Sequence, residues 1–259
     1  MTQIVLVCGK MFDGLSDRLS GPTEILIENG VIADIGQTVA RPSSANAAAK
    51  EIPGLNTVIC DVSKRDEIER MVAESVRALG GLDVLVNSAG IAGETAPVET
   101  SDPDKWEAVM RVDVIGTFHV TRHSIPHLKK SAAGSIIVMS SVGGRFGYPN
   151  RSAYCTAKMG LIGFAKTLSR ELGQYNIRVN AIAPGAVGGD RIERVLQGRA
   201  DAEHKTLEEE RAAAMSVQSL KRFVDPRDIA ALILFLTSDA GKSISGQVLP
   251  IDNDAQTSA

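Results

Sequence analysis

The chain has 259 residues, 44% hydrophobic and 23% charged, with 28 Lys and Arg against 31 Asp and Glu for a net charge of −3. That size and composition suit one α/β domain with a sizeable core, and the scattered, near-balanced charge excludes the basic stripe of a nucleic-acid-binding surface. No apolar run reaches the length of a membrane span and no signal-peptide pattern opens the chain; Cys8, Cys60 and Cys155, without metal-ligand spacing, suit a reducing cytoplasm.

The first apolar run, Ile4 to Cys8, predicts a strand, and the loop Gly9 to Ser16 follows it. A helix through residues 15–28 is disfavoured by Gly21-Pro22, because an interior proline costs about 3 kcal/mol and a glycine up to about 1. Glu24 to Glu28, then Asn29-Gly30, then Val31 to Ile35 predicts a β-hairpin instead, since Asn-Gly suits a turn in which both central residues have positive φ. A hairpin does not supply the right-handed β-α-β crossover of a nucleotide-binding fold. This opening, LVCGKMFDG followed by EILIENGVIADIG, resembles the N-terminal strands of amidohydrolase-type enzymes. No His-x-His metal motif follows, so the hydrolytic chemistry is not carried with it. The pattern changes between Ile32 and Ala45, dividing the chain into an atypical segment, 1–45, and a catalytic and dinucleotide-binding unit, 46–259.

Beyond that junction the signals agree with one another. Asn56 to Cys60 predicts a strand ending at Asp61-Val62, and a helix over about residues 64–79 follows, with Ser63 able to cap it and Gly80-Gly81 stopping it. Leu82 to Asn87 predicts a buried strand closed by Asn87-Ser88-Ala89-Gly90, whose small residues let a ligand approach the backbone and whose Asn can bridge neighbouring strands. Residues 103–130 predict a long helix carrying Trp106 and Asp113. His119, His123 and His127 recur every four residues along it, but no carboxylate motif accompanies them, so a solvated or subunit-facing stripe is favoured over a zinc site. Gly134 to Ser140 and Ile177 to Ile182 are further strands, and a helix from about Ser152 to Gln174 separates them. Pro184-Gly185 makes a turn, residues 186–222 are helix-prone with Glu208 to Glu210 as a solvated face, a helix ends near Ser238, and Ser245 to Asp252 holds the last strand.

Three residues in this frame carry chemistry: Ser141 at a strand end, Tyr154 thirteen residues on, and Lys158 four residues after that. Positions i and i+4 of a helix share a face, so Tyr154 and Lys158 project together. Ser141 lies at the carboxyl end of its strand, where open α/β sheets place their ligands. A free phenol ionises near pH ~10 and is a poor base at neutrality, but an ammonium one turn away favours the phenolate. The serine can hold a substrate oxygen against the phenol. These are the parts needed to take a proton from an alcohol while a hydride leaves its carbon, or to run the reverse on a carbonyl.

From about Asn46 to the C-terminus, some four fifths of its length, the chain resembles the short-chain dehydrogenase/reductases. The resemblance implies a Rossmann-like three-layer sandwich around a mostly parallel, doubly wound sheet, its first β-α-β unit atypical here. It implies Tyr154 as acid/base, Lys158 as its tuner and a ribose ligand, and Ser141 as the donor that orients substrate. It also implies Asp61 and Val62 near the adenine, Asn87, Ala89 and Gly90 near a ribose, and Pro184, Gly185 and Val187 near the nicotinamide. The resemblance further implies NAD or NADP as cofactor, a small secondary alcohol or ketone as substrate and a homodimer or homotetramer as assembly, while composition points to neither nucleic acid nor membrane as partner. Three positions depart from the family pattern. The glycine loop T-G-x-x-x-G-x-G is reduced to Gly9 and Gly14, with Ser16 and Cys8 in place of a glycine and the threonine; Asp113 replaces an asparagine of the proton relay; Gly188-Gly189-Asp190 stands where a threonine is usual. A second reading follows from the first departure: a family fold whose dinucleotide binding is too weak for turnover.

Overall fold

The computed structural model describes residues 58–257 and, nearer the N-terminus, the backbone of five strands: β1 (Ile4–Val7), β2 (Lys10–Met11), β3 (Ser20–Pro22), β4 (Glu24–Glu28) and β5 (Val31–Gly36). From residue 58 on, the elements are α1 (Arg65–Leu79), β6 (Val84–Asn87), α2 (Pro103–Val109), a π-helical segment (Met110–Gly116), α3 (Thr117–Leu128), β7 (Ser135–Met139), α4 (Ser152–Leu172), β8 (Arg178–Pro184), α5 (Asp190–Glu203), α6 (Leu207–Ser216), α7 (Pro226–Thr237) and β9 (Val248–Ile251). The main sheet is wholly parallel in the order β1-β6-β7-β8-β9. It is the α/β, Rossmann-like architecture expected.

Helices cover both faces of this sheet, which is why its strands read as unbroken apolar runs. Side chains alternate between faces along a strand. Leu85, Ile136, Val138 and Val179 turn to one side, where Ile68 and Met71 of α1, Val120 of α3 and Leu161 and Leu168 of α4 close over them. Val84, Val86, Ile137 and Ile182 turn to the other and meet Ile229, Ile233 and Leu236 of α7. Local chemistry sets the helix ends. Asp225 caps α7 through the Arg227 N–H with Pro226 in the first turn, and Thr206 and Glu209 form a reciprocal capping box on α6. Gly80 closes α1 in the left-handed region at φ 76°.

The N-terminal expectations resolve in two directions. The hairpin is present: β4 and β5 pair antiparallel, Glu28 opposite Val31, as a two-stranded sheet separate from the main one. β2 and β3 form another antiparallel pair that the sequence did not signal. β1, by contrast, joins the main sheet, parallel to β6 with Ile4 opposite Val84 and Val7 opposite Asn87. Of the strand expected over Asn56 to Cys60, Val58 to Cys60 is irregular and Asn56 and Thr57 lie outside the described residues. The Gly9 to Ser16 loop, apart from β2, also lies outside them.

Three further expectations are corrected. Ser63 does not cap α1, whose N-cap is Lys64; Ser63 instead donates, through N–H and hydroxyl, to Asp61 Oδ1. The histidine stripe is not simply solvated, because His119 is buried beside the Phe118 ring. Burial, then Arg65, His123 and Arg122, holds the His119 imidazole below its ordinary range. Within the acidic run Glu210 is buried rather than solvated and pairs with Lys205 at 3.3 Å.

Candidate active site

The carboxyl ends of β6, β7 and β8 open onto a cavity of about 250 Å³ lined by residues of those strand ends, of α4 and of α5. Ser141, Tyr154 and Lys158 all line it, as do Ser88, Gly90, Pro184, Gly185 and Val187. The spacing read from the sequence thus brings its three chemical groups to one place. Ser141 directly follows β7 in extended backbone, and its Oγ accepts the Gly143 N–H at 3.1 Å. That leaves its hydroxyl proton for a second partner. Tyr154 and Lys158 sit in the first two turns of α4, with Lys158 Nζ 5.6 Å from the Tyr154 ring centroid.

Two glycines and a serine fit strand end to helix. A Cβ at Gly144 would lie 2.8 Å from the Lys158 carbonyl oxygen and overlap Ser140 Oγ, and one at Gly143 would stand 3.0 Å from Tyr154 Cε1. Ser140 Oγ donates to that same Lys158 carbonyl at 2.8 Å. The close approach of Tyr154 to Gly143 and of the Lys158 backbone to Gly144 therefore depends on two absent side chains.

Asp113 departs most from expectation in its surroundings. It is fully buried in the π-helical segment, whose extra residue per turn re-aims side chains, and its Oδ1 accepts the Ile91 N–H at 2.8 Å. Oδ2 stands 3.0 Å from Lys158 Nζ, an ionic contact without the alignment of a hydrogen bond. Lys158 also donates to the Met139 carbonyl at 3.4 Å. The ammonium beside the phenol thus has a carboxylate at its back. Gly90 keeps the passage open, since a Cβ there would meet both Asp113 Oδ2 and Lys158 Nζ at 3.0 Å.

The remaining expected contacts divide by place. Asn87 does not bridge strands; its Nδ2 donates to Thr121 Oγ1 at 3.0 Å and fastens β6 to α3. Val62 is buried in the core, Ala89 packs against it, and Asp61 holds the turn before α1, so none of these four lines the cavity. Arg145, Arg151, Tyr148 and Arg199 were missed. Arg145 pairs with the buried Asp252 across 107 residues of sequence, tying the loop after β7 to the end of β9. Arg151 is buried, donates to Ala92 O at 2.9 Å, and has its guanidinium 5.1 Å from the Tyr154 ring. Its position three residues before Tyr154, one helical turn, is the signal that could have found it.

A family model described as enoyl-(acyl carrier protein) reductase matches residues 29–253, reaching back into the segment read as atypical. The chain belongs to the short-chain dehydrogenase/reductase family. It is 38% identical over 205 residues to a 3-oxoacyl-acyl-carrier-protein reductase of Thermotoga maritima, covering 79% of this chain and 78% of the relative. A D-beta-hydroxybutyrate dehydrogenase of Cupriavidus necator is 34% identical over 193 residues, 74% of each chain. Among solved structures, an NAD+-bound xylitol dehydrogenase superimposes with a TM-score of 0.76 at 29% identity, covering 81% of this chain and 83% of that one. Members of this family are oxidoreductases, and this chain is placed among them as an enzyme.

Proposed function

We propose that the protein interconverts a secondary alcohol and a ketone with NAD or NADP as the hydride carrier, by way of Ser141, Tyr154 and Lys158. The observation that carries this reading is the convergence of those three side chains on one cavity that Pro184, Gly185 and Val187 also line. Residues at the cavity fit the nicotinamide and ribose end of a dinucleotide. Gly90 leaves the space that a Cβ would fill beside Lys158, Lys158 can reach a ribose hydroxyl, and the Pro184–Val187 backbone can border the ring. When bound, the dinucleotide supplies the two-electron acceptor or donor. The chain's own residues do the rest: Ser141 donates to the substrate oxygen, and Tyr154 removes the hydroxyl proton as the carbon is oxidised and returns it in the reduction. Lys158 favours the phenolate by its charge, while Asp113 offsets part of that charge. Asp113 thereby acts as a positioning residue.

Assembly as a homodimer or homotetramer in the cytoplasm completes the proposal. Ile115, Phe118 and Met159, each more than two-fifths exposed, offer apolar surface on the π-helical segment, α3 and α4, and among the described residues no helix is long and apolar enough to cross a membrane. Residues 1–45 are proposed to be of amidohydrolase-like sequence while serving the 46–259 unit through β1. The test is turnover of a panel of secondary alcohols and ketones by the full chain with each dinucleotide, beside Tyr154→Phe. The reading expects activity that drops by about 10³-fold in the variant, with unchanged circular dichroism. Equal activity of the two proteins, or none with any substrate and either dinucleotide, defeats it.

A further inference from the structure

The cavity wall carries a cation that the proton-transfer chemistry does not use. Among the described residues, three basic side chains line the cavity, Arg151, Lys158 and Arg199, and no Asp or Glu does. Lys158 is answered by Asp113, and Arg151 is engaged by Ala92 O and Thr95 Oγ1. Arg199, on α5, forms no ion pair with any described carboxylate; its recorded contact is the Tyr148 ring, 5.1 Å from the guanidinium carbon. It is half-buried, and its cavity neighbours on the same helix, Ile192, Val195 and Leu196, are apolar. A guanidinium brought into such a wall loses hydration, and a ring face returns only part of that loss. Its planar fork of donors matches a carboxylate with two parallel hydrogen bonds. Tyr148, which lines the cavity beside Arg199, adds a phenol hydroxyl as a second donor.

We infer that Arg199, with Tyr148, forms an anion subsite that selects substrates bearing a carboxylate, so that the alcohol or ketone handled at Tyr154 belongs to a hydroxy acid or keto acid. The inference rests on the oxidoreductase reading of the same cavity, and it is tested by binding as well as by turnover so that the two stand or fall separately. The α5–α6 pair that carries Arg199 is held by the Arg211–Glu193 ion pair at 2.6 Å, which keeps the subsite on a braced element.

The experiment titrates the full-length protein, with saturating NAD+ or NADP+ present, with levulinate and with its uncharged methyl ester by calorimetry. The same titrations are run on Arg199→Gln and Arg199→Lys, and NADH and NADPH oxidation is followed with both ligands. A charge-assisted contact predicts the acid to bind about 10-fold or more tightly than the ester. Arg199→Gln removes that preference while leaving ester binding and dinucleotide KM within about 2-fold, and Arg199→Lys restores part of it. Equal binding of acid and ester, no binding of either, or a loss in Arg199→Gln that falls on the dinucleotide KM overturns the subsite. Turnover of neutral ketones without acid preference overturns the subsite and spares the oxidoreductase reading. Acid-selective, Arg199-dependent binding without turnover of any substrate does the reverse.

Discussion

The chain contains two kinds of β-structure, and they differ in what holds them. β6 to β8 are buried between helices on both faces, are joined by helical crossovers and bring their carboxyl ends to the cavity, with the half-buried β9 paired alongside β8. Among the described residues, β2 to β5 pair with their sequence neighbours as two small antiparallel sheets outside the main one, and β5 packs against α7. A two-stranded hairpin is marginal alone in water, whereas a parallel strand takes its stability from layers on both sides. β1 belongs by position to the first region and by sequence context to the second. The lesson is that the opening segment is not a detachable appendage, because four of its residues complete the edge of the catalytic sheet.

Cutting the chain at this boundary is the harshest way to break the comparison. Removing residues 1–45 leaves β6 as an unpaired edge, and we expect thermal denaturation to show loss of a cooperative transition. A shortened chain as stable as the whole one would make β1 dispensable. A smaller effect probes the fit within the catalytic region. Gly144→Ala places a methyl group against the Lys158 carbonyl and Ser140 Oγ, so denaturant unfolding should report a loss of about 1–3 kcal/mol. Gly163→Ala, in the same region but with open space around its Cβ, should gain up to about 1 kcal/mol.

Asp113→Asn sharpens the account of the site itself. The carboxylate 3.0 Å from Lys158 offsets the ammonium that favours the phenolate. Its neutral isostere should change kcat at one fixed pH more than KM, with the Ile91 N–H still accepted and the fold retained. An unmoved kcat would make Asp113 purely structural. The smallest effect concerns His119. Its folded-state imidazole is held below its ordinary range, so between that lowered value and about pH 6.5 the unfolded chain binds the extra proton. Stability therefore falls as pH drops through this window and is regained above it. His119→Gln should flatten the dependence of melting temperature on pH between 7 and 5; an identical slope would remove His119 from the acid response.

The legible parts of the sequence are those set by local spacing. Ser141 at a strand end and Tyr154 and Lys158 one turn apart converge because strand direction and helix period leave them no other arrangement, and Asn29-Gly30 announced the hairpin around it. What was hidden depends on long-range packing. Arg145 finds Asp252, and Asn87 finds Thr121 rather than a neighbouring strand; neither pairing has a local signature. His119 looked solvated because its i+4 and i+8 neighbours are histidines, yet the helix buries it beside Phe118. Arg199 sat in a polar, helix-prone stretch that gave no sign of facing a cavity.

The central claim is that a catalytic sheet completed by so unusual an opening still holds its hydride carrier. Titration of the purified full chain with NADH and with NADPH, followed by nicotinamide fluorescence, tests it most directly. The account predicts saturable binding in the micromolar range for at least one of them. Absence of binding up to millimolar cofactor would contradict it and leave Ser141, Tyr154 and Lys158 without a partner for hydride transfer.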